Sequence, residues 1–422
     1  MNYAEALKLL ERRQEAKWKL GLSRIEALLA SLGDPQNATP SVHVAGTNGK
    51  GSFCTILTSM LSATGLRVGL FTSPHLVSPR ERIRVNGEPI SEEDFGFVIG
   101  EALKAEPEEA TYFELVTAAA FLHFKRVGAD IAVVEVGLGG RLDATNAIAK
   151  PLLSVITSIS LDHSKQLGST LAEVAGEKCG ILKDGVICLC GEDGYAPLKV
   201  IRKRAYEGAA PLIVHRPSIE PIESHWEDST QTVRLETGER VTLAMLGEPA
   251  RRNSSLALRA IDELRAQGIP VSFEAIEQGL KSVRWPGRFE VRRENDRFVI
   301  LDGAHNPAAM EAFCADWERS PFSDMDSTFL ISMLADKDID SLLRIAAPRI
   351  RRAICSTAPS RRALPAEVLA QRVRSLGVSD VSVVEDPLEA VESWRQSGVR
   401  VAAAVGSFYS IGRILSEEKV AA

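Results

Sequence analysis

Apolar and polar positions follow two rhythms along this chain. Residues 3–15 and 23–32 carry apolar side chains at helical spacing, Leu7 and Leu10 in the first, Ile25, Leu28 and Leu29 in the second. This predicts two amphipathic helices. Ser23 with Glu26 reads as a capping box opening the second, and Pro35 and Pro40 close the section. Thereafter short β-branched runs alternate with longer helical stretches. Strands are predicted at 42–45, 67–71, 130–136 and 152–156, and helices at 53–63, 91–103 and 111–126. The last of these is apolar on most sides (Phe113, Leu115, Val116, Phe121, Leu122), which predicts burial. Such alternation builds a mainly parallel sheet covered on both faces.

Two stretches break the rhythm. Between 78 and 88, Arg80, Arg82 and Arg84 alternate with Glu81, Ile83 and Val85, which predicts an exposed ribbon or mobile loop. From 185 to 243 short strands and turns alternate around one helix near 196–207, and residues 217–240 read as antiparallel β. A long helix is expected to open at Asn253 and run to Ala266, and another spans 273–281. After Arg284-Trp285-Pro286-Gly287-Arg288, a predicted inter-domain joint, β/α units restart with strands at 298–301, 328–331, 352–355, 381–384 and 401–405. The class is α/β.

Composition narrows the picture. A chain of 422 residues is long for one core, so two or three domains are expected. With 45% hydrophobic and 25% charged residues it reads as a soluble globular protein, and no apolar run approaches a bilayer span. A net charge of −6 supplies no global basic field for nucleic acid or anionic lipid, so any cationic site must be local. The six cysteines form no C-x-x-C pair, and Cys188 and Cys190 fall on one face of an apolar strand, as small hydrophobes do. A start of Met1-Asn2-Tyr3-Ala4-Glu5 lacks a signal-peptide pattern. A reduced, cytoplasmic setting is expected.

The candidate chemistry centres on Gly46-Thr47-Asn48-Gly49-Lys50-Gly51-Ser52, between a strand and a helix. Glycine turns aim backbone N–H groups at one spot, a helix N-terminus adds partial positive charge, and Lys50 adds a full one: a cradle for phosphates. The match to G-x-x-x-x-G-K-[ST] is imperfect, because Val44 stands at the first glycine and Gly51 separates Lys50 from Ser52. The bland reading is a plain glycine turn. Thr72/Ser73, Glu135 and His163 fall at strand ends, where open parallel sheets place ligands. Glu135 there suits Mg²⁺, a hard cation, although it also fits a capping or ion-paired role. Asp302-Gly303-Ala304-His305-Asn306-Pro307 gathers acid, imidazole and amide on a strand–turn–helix, which is also an ordinary helix start.

Taken with Ser73-Pro74-His75-Leu76, the run from Glu135 through Gly137-Leu138-Gly139-Gly140-Arg141-Leu142-Asp143 to Asn146, Leu161-Asp162-His163, Glu177-Lys178-Cys179 and Trp285-Pro286-Gly287-Arg288, these motifs occur in a telling order. The chain closely resembles the folylpolyglutamate synthase/dihydrofolate synthase family, a branch of the Mur ligases. The resemblance covers nearly the whole chain. It implies an N-terminal P-loop nucleotide-binding domain over 1–285, with a mainly parallel sheet plus a small antiparallel one. A C-terminal Rossmann-like domain over 286–422 follows, with the active site between the two. By the family pattern, Thr47, Asn48, Gly49, Lys50, Gly51 and Ser52 hold ATP phosphates, and Asn253, Arg288, Asp302 and His305 contact the nucleotide. Ser73, Glu135 and His163 match magnesium ligands, and Lys178 matches a lysine that is carbamylated and bridges to a second metal. The pterin-side substrate is expected near Tyr112, Phe113, Glu114, Leu115, Leu142, Asp143 and Ala144. Lys50, Lys178, His163 and His305 are the residues expected to carry catalysis. Two departures stand out: Pro249-Ala250 where many members have His-Gln, and Cys179 in place of a common Ala.

The implied reaction is ATP-dependent amide formation between L-glutamate and a folate-type carboxylate, through an acyl phosphate, with Mg²⁺. Dihydropteroate and reduced folates are both open as acceptors; a monofunctional dihydrofolate synthase and a Mur-type ligase for a non-folate acid are the alternatives. Only 45 residues precede Gly46, against roughly 100 for a UDP-binding domain of the cell-wall relatives, which favours a folate-like acid. A monomer without nucleic-acid or membrane partners is expected. A nucleotide-binding module without turnover and a small-molecule kinase are the readings from other classes.

Overall fold

The computed structural model describes residues 1–14 and 21–421, so Glu15, the expected end of the first helix, lies outside the described residues. Contacts divide the chain into two units. The first holds residues 1–160, 164–218 and 253–282, and the second holds 161–163, 219–252 and 283–422.

In the first unit, β1 (Ser41–Ala45), β2 (Val68–Phe71), β3 (Ile83–Val85), β4 (Glu88–Pro89), β5 (Ile131–Glu135), β6 (Leu153–Ile156), β7 (Cys188–Cys190) and β8 (Leu212–Val214) form one sheet, ordered β4-β3-β2-β5-β1-β6-β7-β8. The pairs from β2 to β8 are parallel, and β3 and β4 add an antiparallel edge. Every residue of β1, β5 and β6 is buried. Strands covered on both faces need continuous apolar runs, and each buried Val or Ile contributes about 1.5–3 kcal/mol. The helices are α1 (Tyr3–Gln14), α2 (Ser23–Ser31), α3 (Lys50–Ser62), α4 (Glu92–Ala105), α5 (Tyr112–Val127), α6 (Ser164–Leu167), α7 (Leu171–Lys178), α8 (Tyr195–Glu207), α9 (Gly247–Ala266, in this unit from Asn253) and α10 (Phe273–Ser282). As expected, α5 is buried, with Leu115, Val116, Phe121 and Phe124 in one core with Phe71 and Phe95. All six cysteines are buried thiols.

In the second unit, β9 (Glu220–His225), β10 (Thr230–Arg234) and β11 (Arg240–Leu243) form the small antiparallel sheet. A second, six-stranded sheet holds β12 (Glu290–Glu294), β13 (Arg297–Asp302), β14 (Ser327–Ile331), β15 (Arg352–Cys355), β16 (Asp380–Val383) and β17 (Val401–Val405) in the order β12-β13-β17-β14-β15-β16. Only β12 runs antiparallel. Helices α11 (Pro307–Arg319), α12 (Ile339–Ala346), α13 (Ala366–Ser375) and α14 (Pro387–Gln396) lie between these strands, α15 (Phe408–Ala421) follows the last, and Phe313, Trp317, Phe322 and Phe329 are in the core. Among the described residues no helix is long and apolar enough to cross a membrane.

Several local expectations are corrected. Ser23 does not cap α2, because Leu22 already has near-helical angles (φ −95°, ψ −20°) and makes no side-chain cap. Helix α3 begins at Lys50 rather than Phe53, and α9 begins at Gly247 rather than Asn253. Gly247, at φ +87°, turns the chain sharply, and proline is tolerated in a first helical turn, so Pro249 does not delay the start. The arginine-rich stretch is a ribbon only in part: β3 and β4 pair as an antiparallel hairpin, but the arginines of the stretch are half-buried or buried rather than a solvated face. Pro79–Arg82 is a 3₁₀ turn closed by a Ser78–Glu81 capping box, with Glu81 and Arg82 buried. Arg80 Nε donates to the Ile90 carbonyl, Arg82 Nε to His75 Nδ1 and Arg84 Nε to the Glu81 carbonyl, so these guanidiniums serve the local chain.

Candidate active site

The loop after β1 is built by its neighbour β6. Thr47 N donates to the Ser158 carbonyl (2.6 Å), Thr47 Oγ1 to the Ser160 carbonyl (3.0 Å) and Asn48 Nδ2 to Ser160 Oγ (3.1 Å). In return Thr157 Oγ1 and Ser158 Oγ donate to the Asn48 carbonyl at 2.8 and 3.0 Å. Gly49 precedes α3 at φ +86°, in the left-handed region that L side chains rarely adopt. A Cβ there would also lie 2.5 Å from Asn253 Oδ1, which places this α9 side chain against the loop.

Two lysines meet on one carbonyl. Lys50 Nζ donates to the Gly46 and Thr47 carbonyls, both at 3.1 Å, and Lys178 Nζ donates to the Gly46 carbonyl at 2.6 Å. Lys178, at the end of α7, is 4% exposed. Glu135, at the end of β5, is the acid of this cluster: Oε1 lies 3.9 Å from Lys50 Nζ, and Oε2 accepts from Ser73 N at 3.0 Å. The first unit thus brings together Gly46–Ser52, Ser73, Glu135, Lys178 and Asn253 around one loop. Carboxylate and hydroxyl oxygens of Glu135, Ser73 and Ser52 are the donors Mg²⁺ takes, so the donor set fits that ion. Among the described residues no group of three or more His, Cys, Asp or Glu could hold a metal. Water and phosphate oxygens would complete such a shell, as is usual for Mg²⁺.

The second unit carries the other cluster. Asp302 ends β13; its Oδ2 accepts from Phe289 N and its Oδ1 from Ala304 N, both at 2.8 Å. Burial raises its carboxyl to about 6, against the pull of the Arg288 charge and these two N–H donors. Asn306 caps α11 by accepting from Ala309 N, as the Asn-Pro pattern suggests. His305 Nδ1 lies 2.8 Å from the Gly303 carbonyl, and its ring packs on Phe408, whose face also carries the Arg288 guanidinium. Asp162 joins them: Lys337 Nζ is 2.6 Å from Oδ1, and Asn306 Nδ2 and His305 Nε2 are 3.2 and 3.5 Å from Oδ2. Burial opposes ionisation of Asp162, but the His305 hydrogen bond and the Lys337, His305 and His163 charges hold its carboxyl far below the usual range. His163, beside it, sits at φ +51°.

The residues expected on the acid-substrate side divide. Tyr112 and Phe113 are partly buried, with the Arg82 guanidinium over the Tyr112 ring. Glu114 closes a capping box with Thr111 and pairs with Arg24, and Leu115 has no exposed surface. Leu142 is partly exposed, and Asp143 and Ala144 are buried. Sequence reasoning did not single out the Thr157–Ser160 brace, Lys337 or Thr145. Lys337 alone carried a signal, an acid-flanked lysine (Asp336-Lys337-Asp338) shortly after a strand end.

A mainly parallel sheet with a lysine-bearing glycine turn, together with a second α/β unit, is the frame that the family models identify as a Mur-type ligase. Residues 44–196 match the Mur ligase middle domain and residues 287–404 the Mur ligase glutamate ligase domain. The chain is 36% identical over 358 residues to the dihydrofolate synthase/folylpolyglutamate synthase of Bacillus subtilis, covering 81% of this chain and 82% of that one. The Mycobacterium tuberculosis protein of the same name is 34% identical over 392 residues, covering 86% and 79%. A solved structure of E. coli FolC in complex with DHPP and ADP superposes with a TM-score of 0.88 at 31% identity, over 100% of this chain and 98% of that one. A bifunctional folylpolyglutamate synthase/dihydrofolate synthase with Mn, AMPPNP and L-glutamate bound gives 0.84 at 30% identity, over 99% and 98%. The chain belongs to the folylpolyglutamate synthase/dihydrofolate synthase family and is a ligase.

Proposed function

We propose that this protein joins L-glutamate to the carboxylate of a pterin-type acid at the expense of ATP, releasing ADP and phosphate. The observation that carries the reading is the Gly46 turn, where two lysines share a carbonyl beside Glu135. A carboxylate is inert to amines, because its oxygen leaves poorly. Attack of the acid's oxygen on the γ-phosphorus expels ADP and gives an acyl phosphate. The glutamate amine then attacks the acyl carbon, loses its proton, and phosphate leaves. The Gly46–Ser52 backbone and Lys50 orient the phosphates and offset their charge, so catalysis is positioning and electrostatics. Bound Mg²⁺ would add charge neutralisation at the phosphoryl oxygens, with Ser73, Glu135 and His163 as its residues and Lys178 joining them if carbamylated.

Asn253, Arg288, Asp302 and His305 are assigned nucleotide contacts, and Tyr112–Leu115 with Leu142–Ala144 the acid-substrate side. We divide the chain at 285/286 into an ATP-binding and a ligase domain, and infer a cytoplasmic monomer that takes neither nucleic acid nor membrane as partner. Both dihydropteroate and reduced folates are proposed as acceptors, in keeping with the bifunctional names of the relatives. Incubation with ATP, L-glutamate and either acceptor tests this. Phosphate release that requires both organic substrates supports ligation, and release with one acceptor alone makes the enzyme monofunctional. A stable phosphorylated acid, or nucleotide binding without turnover, would defeat the reading.

A further inference from the structure

His43 lies in the middle of β1, between β5 and β6, with no exposed surface. Its flanking residues Val42 and Val44 are aliphatic and equally buried. A polar ring at such a place costs stability unless its nitrogens are used. Nε2 lies 2.8 Å from Thr145 Oγ1. Thr145, also fully buried, has one hydroxyl proton, and it goes to Asp143 Oδ1 at 2.6 Å. The hydroxyl therefore accepts from His43. This puts the ring proton on Nε2 and leaves Nδ1 bare, and Nδ1 has no hydrogen-bond partner. Asp143 Oδ1 also accepts from Thr145 N (3.0 Å), and Oδ2 accepts from Leu138 N (2.8 Å). The chain His43–Thr145–Asp143–Leu138 thus ties the strand feeding the phosphate turn to both ends of the glycine-rich turn 137–146. Burial first, and then the Lys183 charge, push the imidazole down to about 3, so the ring stays neutral and the proton order is fixed.

We propose that His43, acting through Thr145, is a positioning residue for the acid substrate: one donated ring proton holds Asp143 and the 137–146 turn in register with the phosphate turn. The proposal rests on the functional reading above, which assigns Leu142–Ala144 to the acid. An ordinary core histidine would fill space equally well with either tautomer. Here only Nε2–H serves, because Thr145 has no second proton to give.

The test compares His43→Leu, Thr145→Val and their double variant with His43→Gln and Thr145→Ser, which keep a donor and a hydroxyl. Steady-state KM is measured for the pterin acid and for ATP, beside the thermal midpoint. We expect KM for the acid to rise about tenfold in His43→Leu and in Thr145→Val, with KM for ATP within about twofold. The double variant should be no worse than the weaker single, since both break one chain. His43→Gln and Thr145→Ser should restore most of the affinity. Should His43→Leu fold poorly, the near-isosteric Thr145→Val carries the test. Nitrogen-15 NMR of the unmodified enzyme at neutral pH should report the Nε2–H tautomer. Multiplicative losses in the double variant, an equal rise in KM for ATP, or an Nδ1–H or doubly protonated ring would overturn the proposal. If the unmodified enzyme turned over no folate-type acid, the functional reading would fall, while the spectrum would still decide the tautomer.

Discussion

The two units each end a buried parallel strand in a turn that enters a helix, and they use that turn in opposite ways. The turn after β1 is held from outside. Thr157, Ser158 and Ser160 fasten Thr47 and Asn48, and two ammonium groups converge on the Gly46 carbonyl. The turn after β13 is held from inside. Asp302 takes two backbone N–H groups of its own surroundings, and Asn306 caps the helix that follows. The first gathers two ammonium groups beside the Glu135 carboxylate. The second spends its own carboxylate on backbone order and offers a second carboxylate, Asp162, to a lysine. The strand–turn–helix form is therefore common to both, and the charges that meet it come from residues elsewhere in the chain.

The sharpest way to break this contrast is to remove the charge of the first turn. Lys50→Ala should lower turnover about 10³-fold, the scale of losing a preorganised electrostatic contact in a site of this kind, with the thermal midpoint nearly unchanged. Near-normal turnover would strip the turn of its phosphate role. The matching change in the second unit acts on stability instead. Asp162→Ala leaves Lys337, 8% exposed, without its 2.6 Å partner, and breaking a buried pair in this way costs about 3–5 kcal/mol. Because the carboxyl of Asp162 is held low, its contribution is present above the ordinary carboxylate range and lost as pH falls through the depressed value. The gap between parent and variant in chemical denaturation should therefore be widest near neutrality and shrink in acid. A gap that persists unchanged at low pH would mean packing, not charge, accounts for it.

The contrast also explains what could be read from sequence. The first turn was legible because its chemistry is local: strand, glycines, lysine and hydroxyl follow one another within Val42–Ser52. The strands themselves were legible for the same reason, since buried β-branched runs such as Ile131–Glu135 announce both sheet and burial. Lys337 was not, because its partner Asp162 lies far off in the chain, and only the fold brings an acid-flanked lysine to a strand-end carboxylate. Thr145 was hidden likewise. Its role depends on the register that puts His43 of β1 within reach of the turn after β5. The arginines at 80, 82 and 84 misled because alternating charge is usually a solvated face, and here the backbone carbonyls of Ile90 and Glu81 and the ring of His75 absorb them.

The buried acid of the second turn gives a subtler test. With its carboxyl raised to about 6, Asp302 gives up its proton less readily in the folded protein than in the unfolded chain. The stability linked to this group is fully present below about pH 4 and is lost as pH rises through 6. Asp302→Asn mimics the neutral form and titrates nowhere in that window. The difference in unfolding free energy between variant and parent should drift in favour of the variant, by up to about 3 kcal/mol between pH 4 and 7, and then flatten. The lost acceptor toward Phe289 N or Ala304 N adds an offset that does not depend on pH, so the slope carries the prediction. A flat difference across that range would place the Asp302 carboxyl at its ordinary value.

The smallest expected effect probes why the first turn needs glycine for its backbone angle, whereas the second needs it for space, since a Cβ at Gly303 would overlap the Phe408 ring. Gly49→Ala asks a Cβ to adopt φ +86° and to enter the space of the Asn253 carboxamide, 2.5 Å away. The backbone term alone costs about 1–2 kcal/mol, because an L side chain in the left-handed region meets its own carbonyl. The steric term is cheaper if Asn253 swings aside, but that removes its side chain from the turn. The two terms separate in the double variant Gly49→Ala/Asn253→Ala. If contact dominates, shortening Asn253 restores stability to near that of Asn253→Ala alone; if φ dominates, the penalty of Gly49→Ala stays the same in both backgrounds. We expect the second outcome for thermal stability. For nucleotide affinity, measured by titration calorimetry, we expect the penalty to shrink in the Asn253→Ala background. Gly303, by contrast, does not fall in the positive-φ region, and its turn is held by Asp302 rather than by backbone freedom. A left-handed glycine at the first turn and a buried acid at the second are thus two solutions to the same demand, that a strand end change direction within a few residues while keeping its polar groups in use.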